Sequence, residues 1–158
     1  MNNKTAQKTI YQKYGGFKFF HSCIYELYNE MFIHPEISLH FLGVDIHKLS
    51  LHQTQFLVRQ IGGPRLYQGK PVGWVHRKRG ISEYQFREIA SAFEKIFLKN
   101  GVSSQDTAII MTFINGKKPK IVTVRFAWID LVCWPFYQIH AFMSQLVTRL
   151  LDSKKSTD

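Results

Sequence analysis

The sequence predicts an all-α fold, and three observations carry that prediction. Apolar residues recur at three- and four-residue steps in four separate stretches. Glycines, several of them paired, stand between the stretches where helices have to stop. Serines with acidic residues close behind open two of the four, as helix N-termini require.

The first helix follows Gly15-Gly16. Phe17, Phe20, Ile24, Leu27, Tyr28 and Met31 form its stripe, and Pro35 ends it. The second carries Ile46, Leu49, Gln53, Phe56, Leu57 and Ile61 and stops at Gly62-Gly63-Pro64. Ser82-Glu83 opens a third, with Phe86, Ile89, Phe93, Ile96 and Phe97 on its stripe and Asn100-Gly101 behind it. Ser103 and Asp106 have the form of a capping box, with Asp in place of Glu or Gln. That box starts a fourth helix through Ile109, Ile110, Phe113 and Ile114, which ends at Gly116. Beyond it the pattern changes. Val122, Val124, Phe126 and Trp128 alternate in a weakly strand-like way, and after Pro135 an amphipathic helix runs from Phe136 to Leu150.

Length and composition set the outer bounds. A chain of 158 residues is one domain with room for one appendage. At 45% hydrophobic and 15% aromatic it has a core to bury, which excludes disorder. The net charge of +10 favours anionic partners, but the cations are spread along the chain. No short helix with clustered Arg and Lys is assignable as a recognition helix, so nucleic acid is not an expected partner. Cys23 and Cys133 stand far apart in apolar surroundings, which points to buried, inert thiols in a reducing, cytoplasmic setting. The stretch from Met1 to Lys8 is polar and has no signal-peptide run. Residues 131–147 lack charge, but Pro135, Gln138, His140 and Gln145 interrupt them, so no membrane span is expected.

Two polar residues interrupt the apolar stripes. Tyr28 lies on the inward face of the first helix, and Gln53 sits one turn from Leu49 and from Leu57 on the second. Both must find hydrogen-bond partners if buried. Periodicity leaves two readings open: a satisfied polar pair, or donors facing a cavity that takes a small polar ligand. His76 lies in a short segment between glycine-rich turns and the third helix; a lone histidine there is either a surface or satisfied core residue or, since one strong protein bond suffices, a ligand to haem iron. Triads, paired carboxylates, zinc-ligand clusters and phosphate loops are absent from the sequence.

An ordered set of residues then carries a resemblance. Tyr11-Gln-Lys-Tyr-Gly15-Gly16 is followed by Tyr28, by Phe41-Leu-Gly43-Val-Asp45, and by His52-Gln53-Thr-Gln-Phe56-Leu57. Gly62-Gly63-Pro64-Arg-Leu-Tyr67-Gln-Gly69, Val75-His76, Gly80-Ile81, Phe86 and Gly101-Val102 complete it. The set resembles the truncated haemoglobins of the first group over residues 9–116. That resemblance implies a globin-like two-over-two helical sandwich around a b-type haem, haem b or iron protoporphyrin IX. It makes His76 the iron ligand, Tyr28 and Gln53 the distal hydrogen-bond donors, and Phe41 a wedge against the porphyrin. Leu49 takes the position where vertebrate globins carry a distal histidine, Phe56 lines the pocket, and Tyr67 with nearby cations neighbours the propionates. His52 has two readings, an internal sixth ligand to the iron or a propionate partner at the pocket mouth. The implied ligands are dioxygen, NO or CO. NO dioxygenation to nitrate is the catalytic expectation, with electrons from an external reductase; a haem-based redox or gas sensor is the alternative.

Residues 117–158 depart from the family pattern and form an extension of their own. Its aromatic and leucine content favours self-packing or a homodimer through residues 121–151 over a membrane surface.

Overall fold

The computed structural model describes residues 7–124. In chain order it has α1 (Ile10–Lys13), α2 (Gly16–Phe32), a 3-10 turn (Ser38–Phe41), α3 (Ile46–Gln60), α4 (Val72–His76), α5 (Glu83–Lys99), α6 (Ser104–Asn115) and α7 (Lys118–Ile121). The four helices expected from periodicity are α2, α3, α5 and α6. Among the described residues there is no strand. The alternation at Val122 and Val124 sits instead in a loop closed by backbone bonds from Thr123 and Val124 to the Ile81 carbonyl. The rest of that alternation, the helix after Pro135 and the 121–151 dimer segment beyond Val124 lie outside the described residues. Ile121 and Val122, at the start of the expected extension, pack against the core.

The helices pair two over two: α2 packs on α3, α5 on α6, and the pairs meet through α2 and α5. Phe20, Ile24, Leu27, Phe97, Ile96 and Ile110 fill the space between them and are all but sealed from solvent. Most of the expected stripes face this core. On α6 the register differs, because Ile109 is exposed whereas Asp106, Thr107, Ile110 and Met111 are buried.

The face that α3 turns to α2 was not legible as a hydrophobic stripe. Its buried residues are Ser50, Thr54, Leu57 and Val58, at the four- and three-residue steps of one helical face. Ser50 and Thr54 return their hydroxyls to the helix's own carbonyls, at His47 (3.0 Å) and Ser50 (2.7 Å). Their burial therefore leaves no donor unmet. Leu49, Gln53 and Phe56 lie on the neighbouring flank and are only half-buried. Gln53 is thus not a core residue of the α2–α3 contact.

The amino-terminal turn is tied down at both ends. Thr9 and Gln12 form a full capping box on α1, and the Tyr11 N–H donates to the Ile61 carbonyl at 3.0 Å. Gly62 has φ +87°, and a β-carbon there would stand 2.5 Å from that of Thr9. Glycine is needed for both reasons. Across the molecule, Ser103 caps α6 by accepting from the Asp106 N–H. The returning arm of a capping box is not made, because the Asp106 carboxylate turns to α1. It accepts from the Tyr14 hydroxyl at 2.6 Å and pairs with Lys13 at 3.2 Å. The Ser103 N–H donates to the Tyr14 hydroxyl instead.

The Tyr14 hydroxyl, followed by Lys13, holds Asp106 below the ordinary carboxylate value. A group with a lowered folded pKa stabilises fully above its unfolded value, about 4 here, and the stabilisation is lost as pH falls through the lowered one. Tyr14→Phe is expected to cost about 1–2 kcal/mol at neutral pH by urea unfolding. The difference from wild type should shrink once the carboxylate protonates in acid. An undiminished difference there would assign the loss to ring packing instead.

Candidate functional site

Between Ile61 and Pro71 the chain is irregular before it makes the one-turn helix α4. Pro71 stands at its N-cap with φ −55°, already suited to starting a helix. His76 closes α4, half-buried, with Nδ1 2.7 Å from the Val72 carbonyl. A carbonyl only accepts, so Nδ1 carries the proton and Nε2 keeps a lone pair. Burial lowers the pKa of His76 from its ordinary value; the Val72 bond opposes the shift and the charge of Arg79 adds to it. The ring is therefore a neutral, oriented nitrogen donor, the state in which imidazole binds a metal.

Tyr28 is buried, 9% exposed, and its hydroxyl makes no hydrogen bond among the described residues. Burial pushes its pKa well above the ordinary phenol value, so it remains a neutral O–H donor. Phe41 meets it edge to face at 5.7 Å and is itself stacked on Phe32 at 4.9 Å. The 3-10 turn is thereby held onto α2. On α3, Leu49 packs against the core from its half-buried flank, and Gln53 follows one turn on with no hydrogen bond among the described residues. Phe56 completes the flank, 5.2 Å from Tyr67 and 5.6 Å from Phe113 of α6. The Tyr67 hydroxyl is committed to the Lys70 carbonyl at 2.8 Å and so fixes the turn that leads into α4. His52 is exposed, and its ring makes no hydrogen bond among the described residues.

The structure thus joins Tyr28 to Phe41 and Phe56 to Tyr67 by direct ring contact, and leaves His52 facing solvent. Sequence reasoning missed Phe113 as a site neighbour, because its position in the α6 stripe reads as core. It also missed the Val72 carbonyl, since a backbone acceptor has no signature in residue type. Cys23 is buried with its pKa pushed up to about 11, chiefly by burial, and matches the expectation of an inert thiol.

Comparison with known proteins places this arrangement. A family model described as bacterial-like globin matches residues 9–122. The chain belongs to that family. A group 1 truncated haemoglobin of Mycolicibacterium paratuberculosis is 28% identical over 120 residues, 76% of this chain and 88% of the relative. One from Tetrahymena thermophila is 24% identical, over 63% of this chain and 82% of its own length. Among solved structures, the Fe(III) form of Tetrahymena pyriformis truncated haemoglobin has a TM-score of 0.68 at 22% identity, over 73% of this chain and 98% of that one. The 2/2 haemoglobin of Synechococcus sp. PCC 7002 reaches the same TM-score at 18% identity, over 74% and 100%. These structures share the fold, and the resemblance to first-group truncated haemoglobins stands.

Membership implies haem, usually of the b type, and haem-based binding of gases. The globin's own residues fit that group: a neutral imidazole with a free nitrogen lone pair, a hydroxyl on a buried tyrosine that bonds to no described residue, and half-buried aromatic and aliphatic surfaces of the kind that cover a porphyrin. Among the described residues no cluster of three metal-ligating side chains occurs, and a haem does not require one. No helix among them is long and apolar enough to cross a membrane.

Proposed function

We propose that this globin binds dioxygen and related diatomic gases reversibly at a haem iron held by His76, with Tyr28 and Gln53 as hydrogen-bond donors on the distal side. The observation that carries the reading is Tyr28, whose ring is buried, whose phenol is neutral and whose hydroxyl bonds to no described residue. Haem, when bound, supplies the iron at which the gas is taken up. His76 presents Nε2 to it, and the Val72 carbonyl fixes the ring's tautomer and orientation through Nδ1.

Tyr28 would donate a hydrogen bond to a gas bound at that iron, where negative charge accumulates. Gln53 adds a second donor from the flank of α3. Both act where apolar neighbours keep the dielectric low, which strengthens each bond. Phe41, Leu49 and Phe56 exclude water and supply contact surface. Tyr67 holds the approach to α4, and cations near it would pair with the propionates. His52 belongs to the rim, as a propionate partner and not as a ligand to iron.

A pocket that stabilises partial negative charge on dioxygen suits its reaction with nitric oxide, in which NO, O2 and one electron give nitrate. The electron has to come from an external reductase.

Haemin added to the purified chain should bind one to one with a sharp Soret band, and His76→Ala should lose it. Stoichiometric uptake by His76→Ala, or none by the parent chain, would overturn the reading. The dithionite-reduced protein should be five-coordinate with or without His52→Ala. A six-coordinate spectrum abolished by that substitution would instead make His52 a ligand.

Stopped-flow ligand replacement should show dioxygen leaving Tyr28→Phe or Gln53→Leu about 10–100 times faster than wild type, the equivalent of one charge-assisted hydrogen bond. An unchanged rate in both variants would remove the distal pair from the account.

A further inference from the structure

The described cations are not evenly placed once the chain is folded. Segment 64–82 contains Lys70, Arg77 and Lys78 among its basic residues and no Asp or Glu. Segment 116–124 contains Lys117, Lys118 and Lys120 and no acidic residue either. The two segments lie together. Helix α4 packs on α7, Lys120 stands against Gly73, and Thr123 bonds to Ile81 through both its N–H and its hydroxyl. Of these cations only Lys118 has a carboxylate partner among the described residues, Glu83 of α5. The described acidic residues lie on α2, the turn after it, the cap of α3, α5 and α6. A basic face is thus built around α4, the helix that carries His76.

At its centre is an exposed indole. Trp74 is 46% exposed, with Lys70 Nζ 3.7 Å and the Arg77 guanidinium 4.8 Å from its ring centre. Cations in that position are attracted by the ring and fix one another's place on the surface. Trp74 and His76 are two residues apart, about 200° around a helix. One therefore faces out where the other faces in, and the surface is joined to the iron ligand by less than a turn of backbone.

We infer that this face docks an acidic one-electron carrier protein, and that α4 is the route by which the iron is reduced. The inference rests on the haem reading above. In the step, one electron leaves a reduced flavin or iron–sulfur carrier and converts ferric to ferrous iron; the carrier is oxidised by one electron and no bond is made or broken. A fixed array of like charges around one aromatic platform suits a small, electrostatically steered encounter of the kind redox partners form. An anionic bilayer would meet the same cations, and vesicle binding distinguishes it.

The test uses the full chain reconstituted with haem, and an acidic flavodoxin as the probe. Isothermal titration calorimetry should give binding that weakens about tenfold or more between roughly 20 and 200 mM salt. Arg77→Glu, Lys78→Glu and Lys120→Glu combined should weaken low-salt binding by about tenfold or more and flatten the salt dependence. The same charge change at Lys18, Arg59 and Lys95, exposed residues elsewhere on the molecule, should leave most of the binding intact. Equal losses in both triple variants, or none in either, would overturn the proposal. So would retention on phosphatidylglycerol vesicles that depends on the same three residues when flavodoxin does not bind. The Soret band and reduction by dithionite should be unchanged in both triples. If the parent chain takes up no haem the underlying reading fails instead, a result separate from the titration.

Discussion

The buried face of α3 carries Ser50 and Thr54 beside Leu57 and Val58, Ser50 stands 3.5 Å from His21 of α2, and both small residues return their hydroxyls to their own helix. Small side chains let two helices approach closely, and the internal bonds remove the cost of burying polar groups there. With that side of α3 committed to α2, the apolar residues at 49 and 56 and the amide at 53 are left on the next flank, half-buried. Large apolar residues at 50 and 54 would push α3 away from α2 and displace the flank with it. The flank of α3 that carries candidate residues is therefore set by a contact on another face of that helix.

Around that flank the electrostatics are those of neutral donors in poorly hydrated surroundings. Burial lowers the pKa of His76 and raises that of Tyr28, so the same physical cause keeps one group a base and the other an acid. Neither depends on a buried charge. A buried carboxylate would need a partner of its own, and Asp106, the buried carboxylate of this fold, has its partners far along the chain at Lys13 and Tyr14. Charge is thus used to fasten α1 to α6 and to shape the surface around α4, while the candidate residues Tyr28, Gln53 and His76 are neutral.

The sequence–structure comparison is most instructive on α3 and α4. The expected stripe of α3 joined 46, 49, 53, 56, 57 and 61 as one face, whereas the structure divides it between the core, at Leu57 and Ile61, and a half-buried flank. Residue type alone could not make that division, because Ser50 and Thr54 read as solvated positions. Similarly, α4 is too short to leave a periodic signal, and His76 stood out through the ordered pattern around it and not through any local helix. The candidate residues are thus legible through the order of the motifs, while the elements that hold them are only partly so.

The sequence by itself determined the helical class, the four long helices, their caps and the glycine stops, and through the order of its motifs the resemblance to a globin. Those properties are local. They follow from side-chain spacing, from which residues can cap a helix, and from which can adopt a positive φ. Only the tertiary structure decided that Asp106 abandons its own capping box for Tyr14, that Tyr28 keeps a hydroxyl with no acceptor, and that two distant cationic segments make one face. Each of these depends on which groups are left facing one another after the helices have packed, and that is settled by close packing and by the burial of polar atoms across long stretches of chain.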